Sequence, residues 1–162
     1  MKKVLVWTAV MLLVSGAAFA QTTGNLLLQG TVPGILEITV TAEDGADNLD
    51  LLTAVDNLAV ATVVERSNKR AGYTVTLSSA NASGSQAYFA GSAGNTDTLD
   101  YTISYGGEPV TLSSGTALIS DISTKTSASG DAKTLAISYD GTGVFLAEDT
   151  YQDTLTLDIA AK

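Results

Sequence analysis

The chain has 162 residues, with no cysteine or histidine, eight Lys and Arg against seventeen Asp and Glu, and a net charge of −9. That balance argues against nucleic acid, whose phosphates need clustered Lys and Arg, and against docking on anionic lipid. Without cysteine there can be no disulfide and no lipid-bearing lipoprotein, and without histidine any catalysis near neutral pH would fall to carboxylates, Lys, Tyr and Ser.

The first segment has the three parts of a secretory signal: Lys2 and Lys3, an apolar run from Val4 to Val14, and small residues ending Ala18-Phe19-Ala20. Cleavage is expected after Ala20, making residues 1–20 a signal peptide, because the apolar core is too short for a stable span. The expectation is an exported protein, in the periplasm in transit and then at the cell surface or outside the cell, with no membrane span after cleavage. The mature chain would carry six basic and seventeen acidic residues, for a net charge of −11.

Residues 21–33 contain Gly24-x-Leu26-x-Leu28-x-Gly30-x-Val32, an alternation that reads as a strand, and Pro33-Gly34 separates it from the next alternating run. Residues 34–162 then read as one β domain. Leu36, Ile38 and Val40 alternate with polar residues. Leu58, Val60, Thr62 and Val64 form a second strand, where the β-branched residues outweigh the helical look of Ala54–Val64. Further strands are expected around Tyr73–Leu77, Leu99–Tyr105, Val110–Leu112 and Leu135–Tyr139. The last runs Tyr151-x-Asp153-x-Leu155-x-Leu157-x-Ile159. Between them lie turns rich in Gly, Asn, Asp and Ser. Many short strands at this spacing predict an all-β, immunoglobulin-like antiparallel β-sandwich, with the N-terminal segment as its first strand or as a donor strand.

No residue set makes a convincing enzyme. Glu43, Asp44, Asp47, Asn48 and Asp50 crowd one loop, but their spacing does not match an EF-hand, and a solvated acidic turn explains them. Asp97 with Asp100, or Glu148 with Asp149 and Asp153, could be offered as glycosidase acids; turn and cap duties explain them as well. No catalytic residue, cofactor or metal is assigned. Tyr73, Tyr101, Tyr105, Tyr139 and Tyr151 lie in the apolar register, which favours packing over a sugar platform, whereas Tyr88-Phe89 is harder to read as core and is a candidate exposed contact.

The segment Gly24-x-Leu26-x-Leu28-x-Gly30-x-Val32 resembles the N-terminal extension of chaperone–usher fimbrial (pilin) subunits. The closing run Tyr151-x-Asp153-x-Leu155-x-Leu157-x-Ile159 is similar to the last strand of fimbrial and spore coat protein U-like domains, and Gly72–Ser79 also fits such a strand. The resemblance implies a structural subunit of a surface fimbria or pilus that polymerises by donor-strand exchange. Gly24, Leu26, Leu28, Gly30 and Val32 would be the donor strand, and Tyr151, Asp153, Leu155, Leu157 and Ile159 would border the acceptor groove. Its partners would be other copies or related subunits head to tail, a periplasmic chaperone and an outer-membrane usher. Many such subunits carry a cysteine after the extension and an aromatic residue next to the C-terminus; this chain has neither. The alternative is a monomeric exported β-sandwich that binds glycan or calcium without polymerising.

Overall fold

The computed structural model describes residues 23–162, so the expected signal peptide lies outside the described residues. The chain divides into two units, Met1–Val32 and Pro33–Lys162. In the first, residues 23–32 belong to no strand, and Leu26, Leu28 and Val32 are 83%, 83% and 86% exposed.

The second unit is an all-β sandwich. Its strands in chain order are β1 Leu36–Ala42, β2 Ala54–Ser67, β3 Tyr73–Ser79, β4 Ala87–Ala90, β5 Thr98–Tyr105, β6 Glu108–Val110, β7 Thr116–Ile122, β8 Asp131–Asp140 and β9 Leu155–Ala161. One sheet has the order β1-β2-β8-β5-β4, with β6 also on β5; the other has the order β7-β3-β9. Each of these pairings is antiparallel. β4 takes the Thr98–Tyr101 half of one edge of β5 and β6 takes Ile103–Tyr105.

Period-two alternation builds the core. Tyr73, Val75 and Leu77 of β3 are fully buried and face Val63 of β2, Leu99, Tyr101, Ile103 and Tyr105 of β5, and Leu135, Ile137 and Tyr139 of β8. Alternate positions point to solvent or are half-buried. Phe89, read from the sequence as a candidate exposed contact, is buried instead. Its short strand pairs with β5 opposite Leu99, and its ring stacks on Tyr101 at 4.6 Å and meets Tyr139 edge-on at 5.9 Å.

Several strands differ from the sequence expectation: β4 has no counterpart in it, β6 is Glu108–Val110 rather than Val110–Leu112, and β2 buries Ala61, Val63, Glu65 and Ser67 rather than the row Leu58, Val60, Thr62 and Val64. β7 lies inside the Ser- and Thr-rich stretch, and β9 begins at Leu155 rather than Tyr151. The Asp153 carboxylate explains the late start. It accepts from Thr154 N (2.6 Å), Asn81 N (3.0 Å), Ser79 Oγ (2.6 Å) and the Tyr101 hydroxyl (2.5 Å), a local turn that competes with strand pairing. Gln152 makes a bridge to Ala90, so this stretch joins the two sheets before the chain enters β9.

Candidate strand-acceptor groove

In an immunoglobulin-type sandwich one sheet runs A-B-E-D and the other C-F-G. Here β1-β2-β8-β5 follows the first order, and β3-β9 supplies C and F. Among the described residues no strand takes the seventh place beside β9. Two strand edges face that place. Among the described residues β1 is bonded only to β2, and β9 only to β3. Cα atoms of the two edges come within 8 Å, yet the strands lie in different sheets.

The residues lining this gap have core chemistry and incomplete cover. Leu36 and Ile38 of β1 and Leu155, Leu157 and Ile159 of β9 are half-buried, and Val40 is 48% exposed. Ile38, Leu155 and Leu157 pack on the main core from its open side. Their alternation follows the strand period, so each edge offers a row of apolar side chains beside a row of unpaired backbone groups. Neighbouring strands sit ~4.8 Å apart, so an inserted strand needs ~9.6 Å between β1 and β9; the edges would part by at least roughly 2 Å where they come closest.

Of the residues expected to border the groove, Leu155, Leu157 and Ile159 lie on β9 along the free edge. Tyr151 and Asp153 precede it and are engaged elsewhere. The Tyr151 hydroxyl donates to the Ala147 carbonyl (3.0 Å), and Asp153 clamps the end of β3 to the middle of β5. That clamp, with burial of the ring, pushes the Tyr101 phenol far above its ordinary value; burial comes first and the Asp153 hydrogen bond second. Of the acids weighed as catalytic pairs, Asp97 and Asp149 hold turns, Asp97 accepting from Ala147 N and Asp149 from Ser92 and Asn95, while Asp100 lies within β5. The bonds from the Ser92 hydroxyl and Asn95 hold the Asp149 carboxyl at about 2.

Sequence reading missed the polar centre of the sandwich. Glu65 of β2 is fully buried. Its carboxylate accepts from the hydroxyls of Tyr105 (2.6 Å), Ser120 (2.6 Å) and Tyr73 (2.9 Å), and Lys133 Nζ lies 3.1 Å away. Three of these residues come from the larger sheet and two from the smaller, so the network ties the sheets together. Burial pushes the Glu65 carboxyl up, but the bonds from Ser120, Tyr105, Tyr73 and Lys133 outweigh it and leave it below its ordinary value. The same network drives the Tyr73 and Tyr105 phenols well upward, burial first and the Glu65 bond next. The clue was in the sequence: Ala61, Val63, Glu65 and Ser67 share one face of β2.

Among the described residues no three of His, Cys, Asp and Glu converge as they would around a metal ion, and no helix is long and apolar enough to cross a membrane. No protein-family model and no curated protein matches the chain.

Proposed function

We propose that the chain is a structural subunit of a surface fimbria or pilus, polymerising after export by donor-strand exchange. One observation carries this reading: among the described residues no strand lies between β9 and β1, while the same chain holds an alternating segment, Gly24–Val32, that belongs to no strand there and is of the right kind and length. The seven residues of β1 or β9 span about 23 Å, and the nine of the segment reach about 30 Å when extended.

Leu26, Leu28 and Val32 of one copy would fill the half-covered rows of the next, and Gly24 and Gly30 would let the backbones approach closely. Backbone bonds to both edges would supply affinity, and the alternate side chains would fix the register. An immunoglobulin seventh strand runs antiparallel to the sixth, so the segment would run antiparallel to β9 and parallel to β1. Each copy both gives and receives a strand, a heterologous contact that grows filaments rather than closing into a pair. A periplasmic chaperone covering the groove before assembly, and an usher at the outer membrane, belong to the same proposal, because an open apolar edge is an aggregation hazard in transit.

The experiment is a denaturing gel of sheared cell-surface material, probed for this protein with and without boiling. A strand buried along its length leaves slowly, so a ladder that collapses to one band on boiling is expected. A single monomer band in both lanes would overturn the proposal.

A further inference from the structure

Strand exchange gives no role to the acidic loop between β1 and β2. Glu43, Asp44, Asp47 and Asp50 lie there with no Lys or Arg between Glu43 and Val64. The loop follows Ala42, so it sits at the end of the sandwich toward which β1 runs.

The opposite end is basic. The turn joining β2 and β3 carries Lys69 and Arg70 and is fastened to the start of β1. Asn68 Nδ2 donates to the Pro33 carbonyl (2.8 Å), and Asn68 Oδ1 accepts from Ile35 N (2.6 Å). The Lys69 ammonium lies against Gly34, where an added Cβ would come within 2.7 Å of it. Lys125 lines the same small cleft as Ile35 and Asn68. Arg66 and Lys162 are also at this end but are already paired, with Glu37 and Asp121. Lys69, Arg70 and Lys125 have no ion-pair partner among the described residues. The other acids at this end are Glu65, buried and paired with Lys133, Asp131 on β8, two strands from β1, and Glu108 on β6, four strands away. The free cations therefore surround the point where the alternating segment joins the body.

We infer that the acidic loop Glu43–Asp50 of one copy docks against the Lys69–Arg70 turn of the next copy in the filament. The contact rests on the donor-strand reading and derives from its direction. A segment running parallel to β1 carries Val32 to the acidic end of the acceptor, with only Pro33 and Gly34 before the donor's own basic end. Two residues reach at most about 7 Å, within the screening length of roughly 8 Å at physiological salt. Insertion in the reverse direction would bring two basic ends together. The charges thus favour one polarity of assembly, and they guide the encounter before the slower threading of the strand.

The test compares assembly rates of the purified mature chain at low and high salt, read as the unboiled ladder and by light scattering. Reversing the turn (Lys69→Glu with Arg70→Glu) or the loop (Glu43→Lys with Asp44→Lys) is expected to slow assembly about tenfold at low salt. A chain carrying all four changes should recover, and high salt should remove the differences. The inference is overturned if the reversed chains assemble as fast as the natural one, or if the fourfold variant stays slow. Equal ladders in all chains would sink the docking contact alone, whereas a natural chain that forms no ladder would sink the donor-strand reading and the contact with it.

Discussion

Glu65→Ala tests whether the buried network holds the two sheets together. The change removes the only carboxylate shared by the hydroxyls of Tyr73, Tyr105 and Ser120 and by the Lys133 ammonium, and leaves a void among them. Breaking a buried ion pair by removing one partner costs about 3–5 kcal/mol. The Lys133 side chain is 26% exposed and can turn partly to water, which argues for the lower half of that range. The three hydroxyls have no such escape, and a hydrogen bond to a charged group contributes about 1.5–3 kcal/mol. A loss of about 3–4 kcal/mol is a large share of the roughly 5–15 kcal/mol typical of a domain. For a body of about 130 residues it lowers Tm by roughly 10–15 °C. Urea unfolding followed by circular dichroism measures it, with Tyr73→Phe expected to lose about half as much and the exposed Glu148→Ala serving as control. A loss under about 1 kcal/mol, no larger than the control's, would refute the claim that Glu65 organises the core.

The same carboxylate sets an acid limit. Its folded-state value lies below the ordinary 4.5, so the unfolded chain takes up the proton first as the pH falls. The stabilisation is full above about pH 4.5 and is lost as the pH drops through the folded value; Glu65→Gln should flatten that part of a stability-against-pH curve. Gly72→Ala should destabilise the body by several kcal/mol in the same unfolding assay, because Gly72 has φ +88° and an added Cβ would lie 1.9 Å from the Ile122 carbonyl oxygen. Leu28→Asp should leave the monomer's unfolding curve unchanged, since Leu28 is exposed, yet abolish the surface ladder by placing a charge in the apolar groove.

Much of the sandwich was legible because its alternation is strict where two neighbouring strands cover a face. Tyr73–Leu77, Leu99–Tyr105 and Leu135–Tyr139 could be read directly, and each is buried at the positions the alternation marks. β4 was hidden by length: four residues among glycines and serines give too few repeats for a period to show. β7 was hidden by composition, since its buried Ser120 is held by Glu65 rather than by its own apolarity. In the groove, Leu155, Leu157 and Ile159 were legible as a strand face. That no strand among the described residues pairs beside them was not, because an absent neighbour leaves no mark on the residues that would have paired with it. The roles of Tyr151 and Asp153 depended on contacts with Ala147, Ser79 and Tyr101 that no local pattern encodes.

The central claim is that Gly24–Val32 of one copy occupies the gap between β9 and β1 of another, and the absence of native cysteine allows a direct measurement. Two single variants, Leu28→Cys and Leu157→Cys, would be assembled from an equimolar mixture, oxidised gently and run on a reducing-agent-free denaturing gel after boiling. A disulfide needs Cα atoms within about 7 Å, which a segment seated in the groove holds against the half-buried Leu157 position. The account predicts a cross-linked dimer containing one chain of each variant. If the mixture gives only monomers, while a chain carrying both substitutions closes a disulfide within itself, the segment completes its own domain and the account is contradicted.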